Sequence, residues 1–494
     1  MTTSVGELRK GDRKHAPETI EINRPPITRP RWSAVSAYSF KLLGSGLVSR
    51  REFLQGTAAG TATVLTPCRA AASAAADYTV EIAPYSLEVS AHRLIRTVAY
   101  NSQVPGPLLR LQEGRPVTID VVNRTSNPEV VHWHGLFLPS NIDGAMEEGT
   151  PAIAAGGSAR YTFKPRPSGF RWYHTHTFAG HDFNKGQYTG QHGFLWIEPR
   201  ENRGRYDAEV FLALHDWRGQ LLASDDGSMN PSYDVSTING RVLGFSEPLR
   251  VKVGQRLLLH LLNSSATECH WIAMAGHQFD VLALDGNPVP NPCRVPMLSL
   301  APAERVSAIV EMNNPGVWIL GEVRKHIRVA GMGVVVEYAD RSGEPQWRQP
   351  EALSWDYARF GSTESSASGG GGITDIPLVF KSKFTGHGDM DHWTINGKSY
   401  PNTDTIDLRQ GQRYRLLFEN RSTEDHPLHL HRHIFELRRI SGRDTHGIMK
   451  DTVRVNANTQ VDVEFTADDP GLTLFHCHQQ DHMDMGFMML FRYV

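Results

Sequence analysis

The chain has 494 residues, 40% of them hydrophobic and 21% charged, a globular composition too long for one ordinary domain. A formal net charge of −2 argues against the basic footprint of a nucleic-acid-binding protein and points to no membrane surface. Gly (44) and Pro (29) are plentiful, which suits a β-rich chain with many turns; histidine is the outlier at 23 residues, many of them in close pairs.

Residues 1–76 read as a targeting segment with an extension ahead of it. Ser49-Arg50-Arg51-Glu52-Phe53-Leu54 resembles the twin-arginine export signal. A small-residue, weakly apolar run from Gly56 to Pro67 follows, then Ala70 to Ala76, with small-residue cleavage sites after Ala74 or Ala76. The apolar run is too short to span a bilayer, so no stable membrane anchor is expected. The resemblance implies passage through the twin-arginine export machinery to the periplasm or the medium, a route that carries folded proteins. Of the four cysteines, Cys68 lies in the removable segment. Cys269 and Cys293 could form a disulfide in an oxidising compartment or stand as two buried thiols, and Cys477 is left unpaired.

An internal repeat fixes the organisation of the rest. Glu113-Gly114-Arg115 leads through an apolar strand to Asn123; Val253-Gly254-Gln255 leads to Asn263, and Gln410-Gly411-Gln412 to Asn420, with the same spacing each time. A second element recurs downstream as Ser168-Gly169-Phe170, Pro315-Gly316-Val317 and Pro470-Gly471-Leu472. Short alternating strands with Gly, Pro and Asn turns predict an all-β chain of three antiparallel β-sandwich domains, at about 77–200, 201–345 and 373–494. A linker, 346–372, carries a Ser-rich run and four glycines, Gly369 to Gly372.

The histidines fall on this frame as four His-x-His pairs: His132/His134, His174/His176, His429/His431 and His476/His478. Residues two apart on a strand face one side, so each pair presents two imidazoles to one place. Two pairs belong to the first repeat and two to the third, which predicts that these domains meet and close a cluster between them. The middle repeat has Val317-Trp318-Ile319-Leu320 at the matching place and looks like a spacer without a site. Cys477 lies between His476 and His478, so its side chain points to the opposite face and serves a second site. His426 and His482 are placed to complete that site, and one Cys with two His is the ligand set of a blue-copper centre.

The segments His132-Trp133-His134-Gly135, Trp172-Tyr173-His174-Thr175-His176, His426-Pro427-Leu428-His429-Leu430-His431 and His476-Cys477-His478…His482 resemble the four signature motifs of three-domain multicopper oxidases, among them laccases and copper-resistance oxidases. The resemblance implies cupredoxin-like domains and four copper ions. His426, Cys477 and His482 would hold the type 1 ion; His132 and His429 the type 2 ion; His134, His174, His176, His431, His476 and His478 the type 3 pair. It also implies a small-molecule reducing substrate, dioxygen as acceptor, and laccase-like oxidation of phenols or aromatic amines. The alternatives are a cuprous oxidase for copper tolerance and a copper-free structural relative.

Three features depart from the family pattern, and one acid keeps to it. Phe487 stands where an axial Met is common, which predicts a high-potential type 1 site, with Met488 as the competing axial residue. Asp143 matches a family acid beside the trinuclear site and is assigned proton delivery. The second acid, usually just after the His-Cys-His motif, is replaced, leaving Asp481 and Asp484 as substitutes. Arg432 replaces a Gly and is expected to crowd the copper or alter substrate approach. Met483, Met485, Met488, Met489 and Met390 are either routes for Cu(I) or core filling.

Overall fold

Strict alternation builds the strands. Val117–Asn123 and Arg413–Asn420 bury every second side chain, as half-buried strands do. Their counterpart Arg256–Asn263 carries five leucines and is buried at all but its first residue. The reason is a second cover: Leu262 and Ala213 of the middle stretch pack with Phe170, Trp172 and Phe194 of the first. The computed structural model describes residues 75–199, 205–223, 229–362, 372–386 and 388–494. The export motif, Cys68 and residues 363–371 of the expected linker lie outside the described residues.

Among the described residues the strands form six sheets in three pairs. Two four-stranded sheets come from residues 78–198, a six- and a five-stranded sheet from 208–338, and another such pair from 373–493. This is the cupredoxin-type sandwich expected, with one correction: every sheet contains one parallel pair, such as Tyr78–Ser90 beside Val117–Asn123 and Ile373–Lys383 beside Arg413–Asn420. The first strand of each stretch pairs antiparallel with the next strand on one side and parallel with a later strand on the other. No helix among the described residues is long and apolar enough to cross a membrane.

The recurrent Asn has a physical task that its spacing did not disclose. Asn420 Nδ2 donates to the carbonyls of Glu424, Val455 and Asn456, while its Oδ1 accepts from the Ser422 amide and hydroxyl. Asn123 does the same with Asn127, Ile153, Ala154 and Thr125; Asn263 does so with Glu268, Leu300 and Ser265. Each Asn thus pins the loop that leads into the strand carrying His426, His132 or His270, and satisfies buried carbonyls that no strand partner reaches.

Of the two alternatives for Cys269 and Cys293, free thiols are found, each partly buried rather than fully so. Cys293 lies on the outermost strand of the six-stranded sheet, Asn287–Val295, and Cys269 just ahead of His270–Met274 in the facing five-stranded sheet.

Replacing Asn263 by Ala is expected to cost about 3 kcal/mol, since two buried carbonyls lose their donor at roughly 1–3 kcal/mol each. Urea unfolding measures the loss. Asn420→Ala should lose as much and also disturb the Cys477 site, whereas Asn263→Ala should leave that site's absorption unchanged.

Candidate metal centre

Four strands deliver the histidines. His132 closes Val131–His132 and stands opposite His174 of Gly169–Thr175; His429 of His426–Leu430 stands opposite His476 of Leu472–Cys477. The two pairs of strands face each other, and all eight imidazoles of the His-x-His pairs come together with at most 2% exposure. His132 Nε2 and His429 Nε2 are 3.4 Å apart although 297 positions separate them in the chain, and His431 Nε2 lies 3.1 Å from His476 Nε2.

The nitrogens sort into sets that strand alternation alone does not reveal. His134, His174 and His478 converge; so do His176, His431 and His476; His132 and His429 meet with His134. Outer contacts fix which nitrogen faces inward. Nδ1 of His132, His174, His429 and His476 lies against the carbonyls of Asp143 (2.9 Å), Thr175 (2.7 Å), Asp451 (2.7 Å) and Cys477 (2.8 Å), which turns each Nε2 to the centre. His134 is reversed: its Nε2 lies 3.1 Å from Asp451 Oδ1, and its Nδ1 faces inward.

Burial first, and then the neighbouring imidazoles, hold His134, His174, His431, His476 and His478 well below the ordinary histidine range. The same causes push His176 down to about 3; burial does so for His429 against the pull of Asp451. These rings are neutral at physiological pH and keep a lone pair for a metal. His134 Nδ1, His174 Nε2, His176 Nδ1 and both nitrogens of His478 are buried with no hydrogen-bond partner. Orphaned buried nitrogens are costly in a stable fold unless something else occupies them. Imidazole suits copper, so the donor set fits the metal.

On the other face of the strand, Cys477 Sγ lies 3.5 Å from His482 Nδ1 and 3.8 Å from His426 Nδ1, and those two nitrogens are 3.1 Å apart. The three form a separate buried set. Burial pushes the Cys477 thiol up, so it ionises only when a cation arrives. The Phe487 ring stands 4.9 Å from that of His426, while Met488 packs elsewhere with Ala145, Leu474 and Met483. His482 is the outward member: Trp393 lies on its ring at 4.1 Å, and its Nε2 meets Glu424 Oε2 at 3.2 Å, where the Glu424 side chain is 44% exposed.

Three acids are placed differently from one another. Asp143 is where it was expected, its Oδ2 2.9 Å from His431 Nδ1 and 3.2 Å from His132 Nδ1, its Oδ1 buried without a partner. Asp481, named as a substitute for the second acid at the cluster, instead lies 4.0 Å from His482 on the Cys477 side. Asp484 Oδ2 accepts from the amides of Ala179 and Gly180 and so ties the last domain to the first. The short helix Gln480–Asp484 carries both carboxylates away from the eight-histidine face. The second acid at the cluster is Glu148, fully buried, with Oε1 3.5 Å from His431 Nδ1 and Oε2 unpartnered. Burial and then Asp143 push its carboxyl well above the usual range.

Arg432 neither crowds the cluster nor lines an approach. It sits at φ +62°, which explains why Gly suits the position, and its guanidinium donates to the carbonyls of Leu138, Leu472, Asp469 and Pro470 and to the Thr473 hydroxyl. It is a clamp between the first and third domains.

Like Glu148, Asp451 was not singled out in the sequence. Its carboxylate takes both terminal nitrogens of Arg305 (2.7 and 2.6 Å), lies 3.5 Å from Arg171 and touches His134, with every group fully buried. Burial alone would raise this acid, but Arg305, then His429 and Arg171, hold it far below the carboxylate range. The only signal in the sequence was charge at inward strand positions of Ile448-Met449-Lys450-Asp451-Thr452-Val453.

A pair of sandwich domains closing an eight-imidazole cluster, with a Cys-His-His set behind it, defines a copper electron-transfer protein. The multicopper oxidase family models match residues 84–202, 209–330 and 376–494, and the chain belongs to that family of copper-dependent oxidoreductases. It is 28% identical to Multicopper oxidase MmcO of Mycobacterium tuberculosis over 81% of this chain and 84% of that one. It is 27% identical to Laccase-4 of Thanatephorus cucumeris over 77% of this chain and 82% of the other. Fet3p, a multicopper oxidase that functions in iron import, shares the fold at a TM-score of 0.73 and 19% identity, covering 84% of this chain and 90% of that one.

Asp451→Asn should destabilise the chain by about 3–5 kcal/mol, because Arg305 and Arg171 are left buried with half their counter-charge. Bound copper, counted by elemental analysis, should fall through the loosening of His134 and His429. An unchanged copper content would show that the carboxylate does not position them.

Proposed function

We propose that the chain is a laccase-like oxidase that takes single electrons from phenols or aromatic amines and passes four of them to dioxygen. The carrying observation is the edge of the Cys477 site: His482, itself buried, meets the half-exposed carboxylate of Glu424, and four of the five candidate thioethers are buried. Met483, Met488, Met489 and Met390 are all at most 3% exposed and only Met485 of the five is partly exposed, which leaves Cu(I) a single soft donor rather than a line of them. Glu424 offers an acceptor to a phenolic O–H or aromatic N–H lying against His482, and takes its proton as the electron leaves.

In this reading His426, Cys477 and His482 hold one copper ion, His132 and His429 a second, and the two converging triads, His134/His174/His478 and His176/His431/His476, a pair. Bound copper supplies one-electron acceptance at the first site and the four-electron reduction of dioxygen to two waters at the other three. The chain supplies the rest. Cys477 shares its backbone with His476 and His478, so the electron path between sites crosses only a few bonds. Phe487 closes the first site to water and offers no donor atom, which favours the reduced metal and a high potential. Asp143 Oδ1 and Glu148 Oε2 are the buried oxygens on which protons bound for the cluster rest. The Arg50-Arg51 motif supports action after export by the twin-arginine route; export of a reporter fused to residues 1–76 should be lost when both arginines become lysine.

Turnover of a methoxyphenol and of Cu(I) by the copper-loaded protein is the deciding comparison. Faster phenol oxidation is expected, and negligible phenol turnover beside rapid Cu(I) oxidation would replace this reading with the cuprous one. Glu424→Gln should lower kcat/KM for phenols about tenfold, roughly 1.4 kcal/mol of lost transition-state stabilisation, with the blue absorption intact. Phe487→Met should lower the potential of the first site in a redox titration.

A further inference from the structure

Buried cations in this chain are ion-paired, with one exception among the described residues. Arg171 lies 3.5 Å and Arg305 2.6 Å from Asp451, Arg432 lies 3.6 Å from Asp469, and Lys450 lies 3.0 Å from Asp285. Arg454, on the strand Thr452–Val455, is 7% exposed and has no carboxylate at such a distance. Its Nη1 donates to Ser299 Oγ at 3.0 Å, and its guanidinium lies 5.9 Å from the Trp271 ring. Its Nε is buried with no hydrogen-bond partner. Burial works against its charge, while Tyr357, Cys269, Glu304 and Asp425 favour it. Two of these four are neutral at physiological pH, because burial pushes the Tyr357 phenol well above its ordinary value and the Cys269 thiol up to about 12. The other two are engaged elsewhere. Glu304 accepts from the Tyr357 hydroxyl and lies 3.1 Å from Lys450 Nζ, and Asp425 Oδ1 accepts from the Ala457 amide at 2.9 Å. A buried guanidinium left in this state is costly unless an anion reaches it.

There is room for one. Arg454 lines a cavity of about 380 Å³ between the segment 354–359 and the third domain, where Ile440, Ser441 and Val461 form the facing wall. Small-molecule sites have volumes of roughly 300–1,000 Å³. Trp355 brings a second orphaned donor to the same cavity: its Nε1 is buried without a partner, while its ring packs 5.3 Å from that of Phe360. Arg359 and Arg443 line the cavity as well, and Asp356 is the one acid among the lining residues. That acid is already engaged, by Arg443 at 2.7 Å and by the Ala358 amide at 3.0 Å. The lining is therefore cationic, with an apolar side at Trp355, Ile440 and Val461. Two separate N–H donors match the two oxygens of a carboxylate. An inorganic oxyanion would leave the apolar side bare. The cavity is also distinct from the copper centres. Val455 pairs with His426 and Arg454 with Pro427, and successive side chains on a strand point to opposite faces, so Arg454 is turned away from the Cys477 set.

We propose that this cavity binds a small aromatic carboxylate, whose oxygens accept from Arg454 Nε and Trp355 Nε1 and whose ring lies against Ile440 and Val461. Arg359, exposed at the cavity, adds attraction for the approaching anion. The site stands apart from the oxidase reading, since its occupation needs neither copper nor electron transfer.

Isothermal titration of the copper-loaded protein with benzoate, benzamide and inorganic phosphate tests it. Benzoate should bind, benzamide, which has the shape without the charge, should bind at least tenfold more weakly, and phosphate should not displace benzoate. Arg454→Gln should abolish benzoate binding. Trp355→Phe keeps an aromatic ring and removes the N–H, and should weaken benzoate about tenfold. It decides the matter if Arg454→Gln does not fold. No benzoate binding, benzamide binding as tightly as benzoate, or displacement by phosphate overturns the proposal. Full benzoate affinity in Trp355→Phe overturns it too, and would place the anion at another site such as the metal centre.

Discussion

One carboxylate holds the three domains in the arrangement that makes a cluster possible. Asp451, from the third, faces Arg305 of the second and Arg171 of the first, and it touches His134 while its own carbonyl receives His429. Buried charge is tolerable only when counter-charge is close and well aimed, so this group cannot be satisfied unless all three domains are in place. The same atom pair that closes the domain junction sets which nitrogen of His134 faces the centre. Quaternary-like closure within one chain and metal-ligand orientation are therefore a single electrostatic event. Asp285, Lys450 and Glu304 extend it, with Lys450 Nζ 3.0 Å from Asp285 and 3.1 Å from Glu304.

The division of labour among the domains follows. The first and third lend imidazoles; the second lends guanidinium and apolar cover. Its strand Arg256–Asn263 is buried on both faces because it is a wall for its neighbours as well as a sandwich of its own. The clamps of Arg432 and Asp484, which bind mostly main-chain groups, tie the first and third domains without competing for Asp451.

Much of the site is legible in the amino-acid order itself. Period-2 geometry is enough to put His476 and His478 on one face and Cys477 on the other, and the repeat of Gly, strand and Asn marks three similar units. What stays hidden is whatever depends on contact between distant residues. Asp451, Arg305 and Glu148 stand beside other charges, in Lys450-Asp451, Glu304-Arg305 and Glu147-Glu148, and neither they nor Arg171 differ in sequence from solvated charges. Asp481 and Asp484 fall away from the cluster because a helix of five residues turns them aside, and helix phase over so short a span has no sequence signature. Arg432 misleads because a residue that replaces Gly invites an argument about space, whereas its guanidinium finds five acceptors. The parallel pairs escape because hydrophobic alternation reports which face is buried and says nothing of which strand lies alongside.

The cluster is also a statement about chain order. His132 and His429 meet across 297 positions, and His476 and His478 come later still. During synthesis the imidazoles of the first domain emerge long before their partners and can form at most half a binding site. Closure of the eight-imidazole cluster therefore waits until the third domain has folded onto the first.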